Sequence, residues 1–216
     1  MDIAKYLRSE FARIWERNDS DNSWPSTNAL QIIISTSSGL FALAARLIRF
    51  IEDLTIDDPC YQLEACLDFF SSPRVSAAIN PLHALDLLYR QICSNITNHL
   101  LPTTKCILGL CTLYMTPNPP SVQVLANFLG LDRRRFYGSL KRLHSVLKIP
   151  FDADVHNTPI QFYHTSFQDY LIDPLRSGEF SIDRAAVHLD VAVRALRHQI
   201  DRDVGEIVSN VSQRSC

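Results

Sequence analysis

Ser121-Val122-Gln123-Val124-Leu125-Ala126-Asn127-Phe128-Leu129-Gly130-Leu131-Asp132-Arg133-Arg134-Arg135-Phe136 decides the architecture of this 216-residue chain, because it holds two helix starts around one helix stop. Ser121 can cap a helix over Val122 to Leu129, Gly130 suits a left-handed C-terminal cap, and Asp132 can cap the next helix. Two helices joined by so short a turn make a helix-turn-helix. The second helix carries Phe136, Leu140, Leu143 and Leu147 on one side. Lys148-Ile149-Pro150-Phe151 and Ile160-Gln161-Phe162-Tyr163 then form a candidate β-hairpin around the polar turn Asp152 to Pro159, with Pro150 confining its strand to an edge. Helix, turn, helix and hairpin together are the pattern of a winged helix.

Working outward, the wing leads straight into Thr165-Ser166-Phe167-Gln168-Asp169-Tyr170-Leu171, an amphipathic helix with His164 at its start. A helix N-terminus carries partial positive charge and unpaired N–H groups, so an imidazole there can be presented to a phosphate. Further on, Leu189, Val193, Leu196, Ile200, Val204, Ile207 and Val211 form a seam at three- and four-residue steps, tolerating Gly205 at some cost. That stripe needs somewhere to go. It either packs back on the domain or meets another surface, including a second copy through the C-terminal helix.

Upstream the periodicity is helical throughout. Ile3, Leu7, Phe11 and Ile14 recur at helical spacing, Ser23-Trp24-Pro25-Ser26 breaks the pattern, and Leu30 to Ile34 resumes it. Leu40 to Ile51 reads as a nearly all-round apolar helix, buried on most sides, with Asp57-Asp58-Pro59 at its exit. Helices follow at Tyr61 to Phe70, Pro81 to Asn95 and Thr103 to Tyr114, where Thr116-Pro117-Asn118-Pro119-Pro120 is the strongest punctuation in the chain. The fold class is mainly α: a helical subdomain over 1–115, a winged helix-turn-helix with a small β-hairpin over 116–182, and a C-terminal helix over 183–216.

Composition excludes several function classes. A chain 46% hydrophobic with a formal charge of −2 is neither disordered nor strongly basic. Most of the six cysteines punctuate apolar helical runs, and no Cys-x-x-Cys pair occurs, as expected of reduced, buried thiols in a cytoplasmic protein. The start Met1-Asp2-Ile3-Ala4-Lys5 lacks a signal-peptide apolar region. The longest apolar run is interrupted by Arg46 and Arg49 and is too short to cross a bilayer, so no membrane partner is expected. No glycine is followed by lysine, so no Walker A phosphate loop exists in this sequence. There is no His-Glu-x-x-His, no Gly-x-Ser-x-Gly and no metal-spaced Cys/His cluster, and no catalytic or metal residue is assigned. Asp57-Asp58 and Asp201/Asp203 read as solvated acids, and His144 as a partly buried structural histidine.

Several ordered blocks resemble the C-terminal part of the NACHT-type STAND nucleoside triphosphatases, a family of signalling switches that includes animal NOD-like receptors and many fungal proteins. Asp2-Ile3, Tyr6-Leu7, Phe11 and Ile14 look like the helix after the nucleotide-binding core. Trp24-Pro25, the run Ser38 to Ile51, Pro81-Leu82, Leu85-Asp86 and Leu88-Tyr89 look like the helical lid. Ser139-Leu140, Leu143 to Leu147, His164, Ser166-Phe167, Asp169-Tyr170-Leu171, Arg176-Ser177 and Phe180-Ser181-Ile182 look like the winged helix. The resemblance implies that His164 contacts the β-phosphate of bound ADP and holds a closed state. It also implies that Gly39 and Leu40 belong to the lid turn near the nucleotide, with Phe41 where relatives place a proline. ADP or ATP would then be held only within a complete module, with an upstream nucleotide-binding core or another STAND protein as partner, and not tightly by this chain.

Three other readings stand beside it. His164 can be a structural residue that hydrogen-bonds to backbone. The chain can be a stand-alone helical interaction module. A winged helix can also bind DNA, and Arg133-Arg134-Arg135 opens the second helix where a reader helix meets phosphates. DNA affinity needs a coherent basic face, however, and an acidic chain with Asp152 and Asp154 in its wing argues against nucleic acid.

Overall fold

The computed structural model describes residues 2–18, 24–37, 40–53, 58–70, 81–114, 119–151 and 156–213, with backbone only at 18, 69, 81, 82 and 202–213. Gly39, Asp57, Thr116 to Asn118 and the acidic part of the wing turn lie outside the described residues. Within them the fold is mainly α, with one two-stranded antiparallel sheet.

Among the described residues the first half holds five packed helices, α1 (Ile3–Asn18), α2 (Thr27–Ser37), α3 (Phe41–Ile51), α4 (Pro59–Phe70) and α5 (Pro81–Ser94). Leu7, Phe11 and Ile14 lie on one face of α1 and are fully buried, as their spacing requires. Ser26 caps α2 by accepting from the Ala29 N–H at 3.1 Å, and Asp58 caps α4 by accepting from the Cys60 and Tyr61 N–H groups at 2.8 and 3.1 Å. Helix α3 is buried on most sides through Leu43, Ala44, Leu47, Ile48, Phe50 and Ile51. Arg13 on α1 grips Glu52 with both terminal nitrogens, at 2.6 and 2.8 Å, fixing α1 across the end of α3.

The second half opens with α6 (Leu101–Leu113), then α7 (Val122–Leu129) and α8 (Arg133–Leu140). The expected caps are in place. Ser121 Oγ accepts from Val124 N–H, Gly130 adopts φ 65°, and Asp132 accepts from Arg135 N–H at 2.7 Å. The Leu131 N–H returns to the Ala126 carbonyl, closing the C-terminal turn of α7.

Helix α8 is shorter than the helical spacing of its apolar residues predicts. Helix α8 ends at Leu140, so Leu143 lies in a turn and Leu147 begins β1 (Leu147–Lys148). All four apolar residues are nevertheless buried. Leu147 pairs across the ladder with Phe162 of β2 (Gln161–Phe162), and a helix continued through Leu147 would forbid that pairing. His144 accordingly sits in the turn, half-buried, its ring 6.1 Å from that of Phe151.

The chain then forms α9 (Thr165–Ile172), the short α10 (Pro174–Ser177), one 3-10 turn at Gly178–Phe180 and α11 (Arg184–Gln213). Helix α6 packs against both α8 and α11. Thr104 Oγ1 lies 2.7 Å from the Ser139 carbonyl oxygen, and Gly109 admits Val187 so closely that a Cβ there would stand 2.6 Å from its Cγ2. Among the described residues no helix is long and apolar enough to cross a membrane.

Candidate functional site: the histidine at the wing exit

His164 leaves β2 in an extended conformation, φ −157° and ψ 143°, and is the N-cap of α9. Its Nδ1 accepts from the Ser166 backbone N–H at 3.1 Å and lies 2.7 Å from Ser166 Oγ. A backbone N–H can only donate, so Nδ1 is the acceptor and the ring proton belongs on Nε2. The side chain is exposed. One edge of the imidazole is therefore spent on the helix cap, and the other offers a donor to solvent beside the positive end of α9.

Two arginines from α3 hold the preceding residue. Arg46 Nη2 donates to the Tyr163 carbonyl at 3.0 Å, and the Arg49 guanidinium lies 3.6 Å from the centroid of the Tyr163 ring. Arg46 is only 6% exposed, yet none of the ion pairs among the described residues involves it. Burial, with Arg49 adding like charge, pulls its guanidinium below its ordinary value. A buried cation answered by a carbonyl and by phenol rings is a costly arrangement. It leaves positive charge at the residue next to His164.

Helix α5 supplies the other wall. The Tyr89 hydroxyl lies 2.7 Å from Ser166 Oγ, and the Tyr89 ring packs on Phe167 and Tyr170 at 4.9 and 5.4 Å between centroids. Burial pushes the Tyr89 phenol up, so it stays protonated. One turn back, Asp86 takes both Nε and Nη2 of Arg176 on α10, at 3.0 and 2.6 Å. The segment from Tyr163 to Arg176 is thus clamped by α3 at its start and by α5 along its length.

Of the residues expected near the nucleotide, Gly39 lies outside the described residues. Leu40 is the half-buried N-cap of α3 without a side-chain cap, its N–H donating to the Ser37 carbonyl at 2.6 Å. The hydrogen bond and the ring contacts that join α3 to the histidine segment come from Arg46 and Arg49. Phe41 packs on Tyr6 of α1, 4.7 Å between centroids.

In the sequence Arg46 and Arg49 stand out only as interruptions of an apolar run. The signal was there: a cation on the buried face of a helix must find an acceptor or an anion. Arg133, Arg134 and Arg135 stand exposed on the first turn of α8. No group of three His, Cys, Asp or Glu able to hold a metal occurs among the described residues. Comparison with protein-family models, with curated proteins and with solved structures yields no match to this chain.

Proposed function

We propose that this chain is the helical-lid and winged-helix portion of a NACHT-type STAND nucleotide switch, closing over ADP and relaying which nucleotide is bound. The observation that supports the reading is the clamp on His164. The lid helices α3 and α5 grip Tyr163 and Ser166 around it, with Arg46 and Arg49 held on Tyr163, while the exposed ring leaves Nε2 outside the cap hydrogen bond. An anion bound there would draw on the histidine donor, the helix terminus and the arginine charge together. Lid and winged helix would then move as one body on exchange for ATP, a hinge movement against the nucleotide core. The role is regulatory: with no Walker A loop the chain has no means of its own to hydrolyse ATP. Buried thiols suit a reducing, cytoplasmic setting.

The test follows the His164 ring nitrogens by NMR while the chain is titrated with ADP, pyrophosphate or adenosine. The expected result is an Nε2 shift with ADP and pyrophosphate but not adenosine, with affinity of about 1 mM or weaker, since one imidazole cannot replace a phosphate loop. An Nε2 signal indifferent to both phosphates at tens of millimolar, well past roughly 1 mM, would end the anion-facing assignment. Joined to an intact Walker core, His164→Ala is expected to abolish retention of ADP through purification, and undiminished retention would overturn the sensor role.

A further inference from the structure

Helix α11 turns to the body not its apolar seam, whose Leu189, Leu196 and Ile200 stay exposed, but the face that carries Val187 and Arg194. Arg194 is thereby brought to the end of α7. Its Nη1 donates to the Leu129 carbonyl at 3.1 Å and its Nε to Asp190 at 2.8 Å, which leaves Nη2 without a partner among the described residues. Here a cleft of about 270 Å³ opens where α6, the α7–α8 turn, α8 and α11 meet.

The charge lining this cleft is all positive. Arg135, on the first turn of α8, lines it together with Arg194, and no carboxylate does. Asp132 takes only the backbone N–H of Arg135, and the exposed guanidinium meets no acceptor among the described residues. The nearest acid, Asp190, answers Arg194 from a neighbouring groove. Two cations against one anion leave an excess of positive charge in a concave site, which attracts anions.

Helix α6 supplies neutral donors to the same cleft through Thr103. In the turn before it the Leu101 N–H goes to Thr97 and Asn98 and the Thr104 N–H to Leu100, while neither the N–H nor the hydroxyl of Thr103 has a partner among the described residues. The carbonyl end of α7, which would repel an anion, is already answered by donors. Gly130 and Leu131 N–H groups take the Asn127 and Ala126 carbonyls, and Arg194 takes that of Leu129.

Size and walls narrow the ligand. Drug-sized molecules fill about 300–1,000 Å³, so this cleft suits something smaller. Guanidinium groups bind phosphate oxygens through paired N–H donors, and Pro102, Cys106 and Leu131 offer apolar wall to a short organic group. We propose that the cleft binds a small phosphate monoester, its phosphate held by Arg135, Arg194 and Thr103. The ligand would tie α6, α8 and α11 together. The inference rests on this cleft alone and is independent of the nucleotide reading, since His164 lies on other elements.

The test follows the Thr103 amide and the Arg135 Nε by NMR while the full chain is titrated with phenyl phosphate, inorganic phosphate or benzyl alcohol. Phenyl phosphate is expected to shift both signals with a Kd of about 1 mM, inorganic phosphate to do so more weakly, and benzyl alcohol to leave them in place. His164→Ala should leave this titration unchanged, which separates the cleft from the wing exit. Arg135→Ala should weaken binding by ~10-fold or more and Thr103→Val by a few-fold, with the thermal unfolding of the free chain unaltered, because neither side chain is bonded within the fold. Lowering the pH to about 5, below the second phosphate pKa of roughly 6, should weaken it several-fold. Signals that stay in place at about 50 mM phenyl phosphate overturn the inference, and so does an Arg135→Ala chain that binds as tightly as the wild type.

Discussion

Separating Asp86 from Arg176 tests whether the first helices and the winged helix are one mechanical unit. The pair is bidentate, with side chains 17 and 29% exposed, and joins α5 to α10 across 90 residues of sequence. Asp86 raises the Arg176 guanidinium pKa chiefly through its hydrogen bonds, with smaller support from Asp173 and Asp169. Exposed ion pairs are worth about 0.2–1 kcal/mol, and breaking a fully buried one costs about 3–5 kcal/mol. A pair about three-quarters buried falls between. Asp86→Ala should cost about 1.5 kcal/mol and Arg176→Ala about 2 kcal/mol, because Asp173 and Asp169 soften the first loss while the second orphans the more buried partner. A double-mutant cycle read by urea unfolding should return a coupling of about 1–1.5 kcal/mol, equivalent to a few degrees in Tm for a chain of this size. Because both groups are shielded, about 0.5 M salt should remove only a minor part of it. Additive single-mutant losses, with coupling under ~0.3 kcal/mol, would mean that the two halves are not locked through this contact.

Gly109→Ala should destabilise by about 0.5–1 kcal/mol, since crowding Val187 costs more than the helix gains from alanine; in a Val187→Ala background the same change should stabilise by a similar amount, and urea midpoints of the four variants check the sign reversal. Burial raises the Cys93 and Cys111 thiols to about 12 from 9.0. A thiol whose pKa is raised by folding contributes its full stability below about pH 9 and loses it as pH climbs toward 12, each group by up to about 1.4 kcal/mol per pH unit. Urea midpoints at pH 8, 9 and 10 should therefore fall steeply only above pH 9, and Cys93→Ala should lessen the slope.

Legibility in the sequence followed the locality of each signal. Ser121, Gly130 and Asp132 act on residues three or four positions away, and all three caps stand where the sequence puts them. The burial of Leu7, Phe11 and Ile14 follows from helical period alone. The end of α8 was not legible, because Leu143 and Leu147 keep a helical spacing while the ladder partner of Leu147, Phe162, is fifteen residues away. The C-terminal seam carried the right period, but the face that docks is set by Gly109 and Leu129, far upstream. At the site, His164 was legible as a helix start. Arg46 and Tyr89 were not assembled around it in advance, since contacts spanning 117 and 77 residues leave no periodic trace.

The shared hydroxyl of Ser166 gives the site a polarity. Nδ1 of His164 accepts, so the Ser166 hydroxyl points its proton at the ring and must itself accept from Tyr89, whose proton runs the same way. Two hydroxyls in a row thus donate toward the imidazole, like a short wire with one permitted direction. If His164 takes up a second proton at Nδ1, Ser166 has to turn around and Tyr89 loses its acceptor, deep in the aromatic layer between α5 and α9. A change of one proton on an exposed ring is in this way felt by a phenol with no exposed surface.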